Sequence, residues 1–113
     1  QNVETQTQAQ SSNCENPQTQ TQMNICAAQE FARVDAELNQ RYQELLPKLS
    51  QQRKDQLIKA QKAWIAFKET SCEFEASQVA GGSMEPLVRA NCLTEQTTRR
   101  TADLQRYLQE TNL

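Results

Sequence analysis

The stretch from Met23 to Ser50, MNICAAQEFARVDAELNQRYQELLPKLS, decides the fold. Ala27, Phe31, Val34, Leu38, Tyr42, Leu45 and Leu49 follow one another at intervals of four, three, four, four, three and four. That rhythm draws a single apolar stripe down one side of a long helix. Upstream, Thr19 and Gln22 have the spacing of a capping box, which satisfies two free N–H groups at a helix start. Downstream, Pro47 disfavours helix at Leu46, and Ser50 can cap whatever begins next. The first helix is therefore expected over about Thr21 to Leu46.

A second helix is expected over Gln51 to Phe74, a span with no proline or glycine. Leu57, Ala60, Gln61, Trp64, Ile65, Phe67, Lys68 and Cys72 are available to its inner side. A short link between two long amphipathic helices makes them antiparallel neighbours. Trp64 is then expected largely buried, opposite the region of Val34. Gly81, Gly82 and Ser83 break the pattern, Met84 to Asn91 can form a short helix, and Thr94 can cap a last helix over Leu93 to Gln109. No segment alternates with a period of two, so the expected class is all-α: a long antiparallel helical hairpin closed by a C-terminal helix. Residues 1–18, rich in Gln, Thr and Asn, read as a flexible lead tethered at Cys14, and residues 19–113 as a single helical domain.

Four cysteines, Cys14, Cys26, Cys72 and Cys92, stand in a chain without histidine. A foldable part of about ninety residues has a small core, so cross-links matter to its stability. Two disulfides place the chain in an oxidising compartment, periplasmic or extracellular, with any signal peptide already removed. Spacing alone leaves three pairings open. Cys14 with Cys26 and Cys72 with Cys92 is favoured. Cys26 with Cys72 competes, because in a hairpin turning near Leu49 these two stand at the same height. Separations of twelve, forty-six and twenty positions do not suit zinc ligands, and no histidine is present to activate a thiolate.

Twelve basic and fourteen acidic residues give a net charge of −2, and no basic face for nucleic acid is expected. No apolar run approaches the length of a membrane span. Gly81-Gly82-Ser83 lacks the lysine and the preceding strand of a phosphate loop. Asp35 and Glu37, two apart on a helix, point in different directions and do not form a glycosidase pair. Glu30, Arg33 and Glu37 read as a solvated ion-pair face. The expectation is a protein that is not an enzyme, without catalytic residues, metal or cofactor. Asp35, Asn39 and Gln61 adjoin the apolar stripes and are expected to hydrogen-bond between helices, with a polar patch for a partner as the alternative.

The chain resembles the secreted bacterial family named for its lysozyme-inhibitor member, the LprI N-terminal domain family. The segments that carry the likeness are MNICAAQEFARVDAELNQRYQELL, AQKAWIAFKETSCEFEA and GGSMEPLVRANCLTEQTTRRTADL. Within them Asp35, Leu38, Asn39 and Tyr42 combine with Gln61, Trp64, Cys72 and Cys92, then Thr94 and Arg99, and the residues other than the cysteines are read as structural. Lys68 stands where the family pattern commonly has arginine. The resemblance implies a small exported helical domain with disulfides and a protein partner, a lysozyme-type glycan hydrolase in the named member. An envelope interaction module with another partner is the other reading. The irregular loop Gly81, Gly82, Ser83 and Met84 reads first as a structural connector, with a contact surface as the alternative, since inhibitors commonly plug a cleft with a protruding loop.

Overall fold

In the computed structural model, residues 13–111 are described. After a turn of 3₁₀ helix at Asn13–Glu15 come three long helices: α1 (Gln20–Leu45), α2 (Gln51–Ala76) and α3 (Glu85–Thr111). Residues 1–12 of the expected lead lie outside the described residues.

The caps fall where side-chain chemistry puts them. The Thr19 hydroxyl accepts from the Gln22 N–H at 3.1 Å and starts α1. The Gln22 side chain reaches one residue further back than a capping box requires, accepting from Gln18 N–H at 2.6 Å. At the far end the backbone tightens into a 3₁₀ turn at Leu46–Lys48, where proline sits in the first turn and needs no N–H partner. Ser50 then accepts from the Arg53 N–H at 3.2 Å and opens α2. Past Ala76, Gly81 adopts φ +80°, a left-handed conformation that costs glycine little and other residues more.

α3 is one helix of 27 residues where two were expected. Nothing between Asn91 and Thr94 stops a helix, and continuing it lets one element bury Cys92, Thr97, Leu104 and Leu108 against the other two helices. Pro86 lies in its first turn, where a missing N–H is harmless. Thr94 is thus not a cap. It lies inside α3 with its hydroxyl buried and unpartnered.

The hairpin register is as expected: Phe31 stands beside Lys68, and Leu38 and Tyr42 share a groove with Ile58 and Gln61. The third helix takes the larger structural role, because its backbone packs closely along both α1 and α2, whereas α1 and α2 meet through long side chains. Leu38, Leu45, Leu57, Leu104 and Leu108 form the core, with Tyr42, Leu46, Leu49, Trp64 and Tyr107 packed on it. Val34 is buried toward Thr98 and Thr101 of α3, so the near neighbours of Trp64 on α1 are Asp35 and Leu38 instead.

This packing corrects three expectations for α2. Ala60 is exposed, and Ile65 and Phe67 are 38% and 57% exposed, while Trp64 keeps most of its surface covered. With α1 held at side-chain distance, only a narrow strip of α2 is covered, and that strip carries Leu57, Gln61, Lys68, Cys72 and Ala76. At the end away from the Leu49 turn, disulfides join Cys14 to Cys26 and Cys72 to Cys92, with Cα separations of 5.4 and 5.5 Å. The pairing is the local one.

Candidate functional site

A groove of about 220 Å³ runs between α1 and α2. On α1 its wall is Asp35, Leu38, Asn39 and Tyr42, spaced by three, one and three residues and so presented on one helix face. On α2 it is walled by Ile58, Gln61, Lys62, Trp64, Ile65 and Lys68. Six of the eight family-motif residues outside the cysteines therefore meet in one place, although the two stretches carrying them are separated by the whole turn.

Lys68 organises the upper part of this groove. Only 7% of the residue is exposed, and its Nζ lies over two aromatic rings, 4.8 Å from the centroid of Trp64 and 5.7 Å from that of Phe31. Ring faces carry partial negative charge, so the ammonium is stabilised there while its methylene stem is removed from water. A cation held by flat ring faces does not depend on the bidentate geometry that arginine would supply, which accounts for lysine being accommodated at this position.

Gln61 closes the floor. It is 7% exposed, and its carbonyl oxygen accepts from Nε of Arg100 on α3 at 2.9 Å. That bond joins α2 to α3, and Arg100 also lies 4.0 Å from Asp103. The expected interhelical role of Gln61 is thus met, with α3 and not α1 as the partner. Asp35 is half-buried and Asn39 exposed. Among the ion pairs of the described residues, none involves Asp35, Lys62 or Lys68. Lys68 is satisfied by its two rings, whereas Asp35 and Lys62 have no charged partner among the described residues.

The remaining candidates lie elsewhere. Thr94 is inside α3, and Arg99 is exposed and paired with Glu95 at 3.5 Å. The loop Gly81, Gly82, Ser83 and Met84 is exposed and does not line the groove. It is tied down, since Asn24 Nδ2 donates to the Ser83 carbonyl at 3.0 Å and the Gly81 N–H donates to the Glu85 carboxylate at 2.9 Å. That N–H, together with Arg89, holds the Glu85 carboxyl below its ordinary pKa. Sequence reasoning missed Phe31 as part of the Lys68 clamp and Arg100 as the partner of Gln61. Phe31 was recoverable, because it and Lys68 stand nearly equidistant from the turn at Leu49.

Every cysteine is oxidised, and the groove offers one carboxylate, one phenol, two ammonium groups and ring faces. The fold and the groove thus define a disulfide-tied, all-helical domain with an open groove between its first two helices. Residues 11–104 match the model of the family described as lysozyme inhibitor LprI, and the chain belongs to that family. It is also 34% identical over 109 residues to an uncharacterized protein of Rhizobium meliloti, covering 85% of this chain and 78% of that one. No solved structure matches the chain. The disulfides fit an extracellular or periplasmic location, and no helix among the described residues is long and apolar enough to cross a membrane.

Proposed function

We propose that this protein is an exported, non-enzymatic inhibitor of a lysozyme-type glycan hydrolase, and that the groove between α1 and α2 is its contact surface. The observation that carries the reading is the convergence of Asp35, Asn39, Tyr42, Gln61 and Trp64 on one groove whose charged groups have no ion-pair partner. A groove receives, so it would take a projecting side chain or ridge from the rim of the enzyme's cleft. Docking there would bury the rest of Trp64, the kind of aromatic anchor that dominates binding energy at interfaces. The loop Gly81–Met84, with Met84 46% exposed, is the second candidate for contact.

The test is a titration of oxidised protein against lysozymes of several classes, read as loss of cell-wall lysis. Stoichiometric inhibition that disappears on reduction is expected, because the disulfides hold the end of the helical pair. Added salt should slow association only modestly, since a net charge of −2 gives little steering. No inhibition at large molar excess would remove the hydrolase as partner and leave an envelope interaction module.

A further inference from the structure

The outward face of α2 carries a pattern that neither the core nor the groove uses. Ala60, Ala63, Phe67, Thr70 and Phe74 recur at intervals of three, four, three and four, the spacing that keeps one stripe against a neighbouring helix. All five are exposed, Phe67 by 57% and Phe74 by 73%, and none is charged. Two exposed phenylalanines one heptad apart on such a stripe mark an interaction face more strongly than scattered apolar residues do.

Charge identifies the occupant. The chain as a whole mixes its charges, but α2 does not: setting aside the buried Lys68, residues 51–67 hold four basic side chains and one acidic, and residues 69–76 hold three acidic and no basic. Two copies of α2 side by side in parallel would set like charges together. Run antiparallel, the basic part of each lies along the acidic end of the other, and the helix dipoles also oppose favourably. Lys59 and Glu73 lie on the same flank of the stripe, one heptad either side of Ala66. Neither belongs to any ion pair of the described residues.

Shape agrees with charge. Ala60 helps wall a cleft of about 340 Å³ between α2 and α3, lined also by Leu49, Gln56, Leu57 and Tyr107. A two-fold axis near Ala66 brings the second copy's Phe74 over this cleft, and the same operation places this chain's Phe74 over the other cleft. The match is therefore self-complementary, as a two-fold interface requires.

We propose that a second copy of this chain docks on this face, α2 against α2 in antiparallel orientation, with Phe67 and Phe74 in the seam and Lys59 paired to Glu73 across it. The proposal is independent of the groove, which contains none of these four residues.

Sedimentation of the oxidised full chain over a range of concentrations tests it. Wild type is expected to show a reversible monomer–dimer equilibrium, and Phe74→Ser to sediment as a monomer with an unchanged circular-dichroism spectrum, since the exposed ring supports no core. Lys59→Glu and Glu73→Lys should each weaken the dimer by about tenfold or more. Mixed together, these two variants should recover a heterodimer, because each then offers the opposite charge the other needs. A monomeric wild type up to about millimolar concentration would overturn the proposal and leave the face to a different occupant. Dimerisation unaffected by Phe74→Ser, or no recovery on mixing, would overturn it too.

Discussion

Lys68 offers a graded perturbation whose size follows from its surroundings. Its ammonium lies 4.8 and 5.7 Å from two ring centroids, and the residue is 7% exposed. Partly desolvated cation–ring contacts of this kind are worth about 1–2 kcal/mol together. Lys68→Met keeps an unbranched apolar stem and loses only the charge, so it should cost about 1–2 kcal/mol. Lys68→Ala also removes buried methylenes at about 0.8 kcal/mol each, bringing its cost to about 3–4 kcal/mol. Lys68→Arg keeps a cation over both rings and should stay within about 1 kcal/mol of wild type. The assay is urea unfolding followed by far-ultraviolet circular dichroism. Fluorescence of Trp64, the one tryptophan in the chain, serves as the local probe. With a slope of about 1 kcal/mol per molar urea, the Met variant should shift the midpoint by about 1–2 M. Lys68→Met as stable as wild type, or Lys68→Arg as damaging as Lys68→Ala, would refute the ring clamp.

Other consequences can be measured alongside. Thr97 is fully buried with an unpartnered hydroxyl, so Thr97→Val should raise stability by about 1 kcal/mol in thermal melts; a decrease would show that the hydroxyl is bonded. Replacing both Cys72 and Cys92 by serine frees a crosslink spanning 20 residues and should cost about 3 kcal/mol, read as a lower denaturant midpoint under oxidising conditions. Glu30 and Glu85 both have folded-state pKa values below the ordinary 4.5, the first through its bond to Arg33 and the second through the Gly81 N–H and Arg89. Their contribution is therefore complete above that ordinary value and lost as pH falls through the lowered ones. Acid titration of wild type should show stability level from neutrality down to about pH 5 and falling below it, and Glu85→Gln should flatten part of that acid limb.

Helix class and the Thr19 and Ser50 caps were legible in the sequence because each rests on short-range chemistry. An apolar stripe needs only periodicity and a cap needs only one hydroxyl and the next turn, whereas spacing favoured the local disulfide pairing but left Cys26 with Cys72 open until the fold decided it. What escaped were statements about which neighbour covers which face. Periodicity brought Ile65 and Phe67 to the side of α2 facing inward, but the width of the covered strip depends on how closely α1 approaches, and that is set by α3 lying along both. The same cause left Ala60 exposed. Thr94 was misplaced for a different reason: a hydroxyl next to an apolar segment resembles a helix start, and only the burial of residues both before and after it, Cys92 and Thr97, makes an unbroken α3 the better solution. The groove was half legible. Asp35, Leu38, Asn39 and Tyr42 share a helix face by spacing alone, but their meeting with Gln61, Trp64 and Lys68 required the hairpin register.

Asn39→Arg tests the central claim most directly. Asn39 is exposed on the lip of the groove, so a long cation there fills the opening without disturbing the core. The measurement is inhibition of the most sensitive lysozyme class by oxidised wild type and variant, with matched circular dichroism as the folding control. If the groove is the contact surface, the wild type inhibits stoichiometrically and Asn39→Arg loses that inhibition while keeping its helices. An Asn39→Arg protein that inhibits as well as wild type would contradict the account.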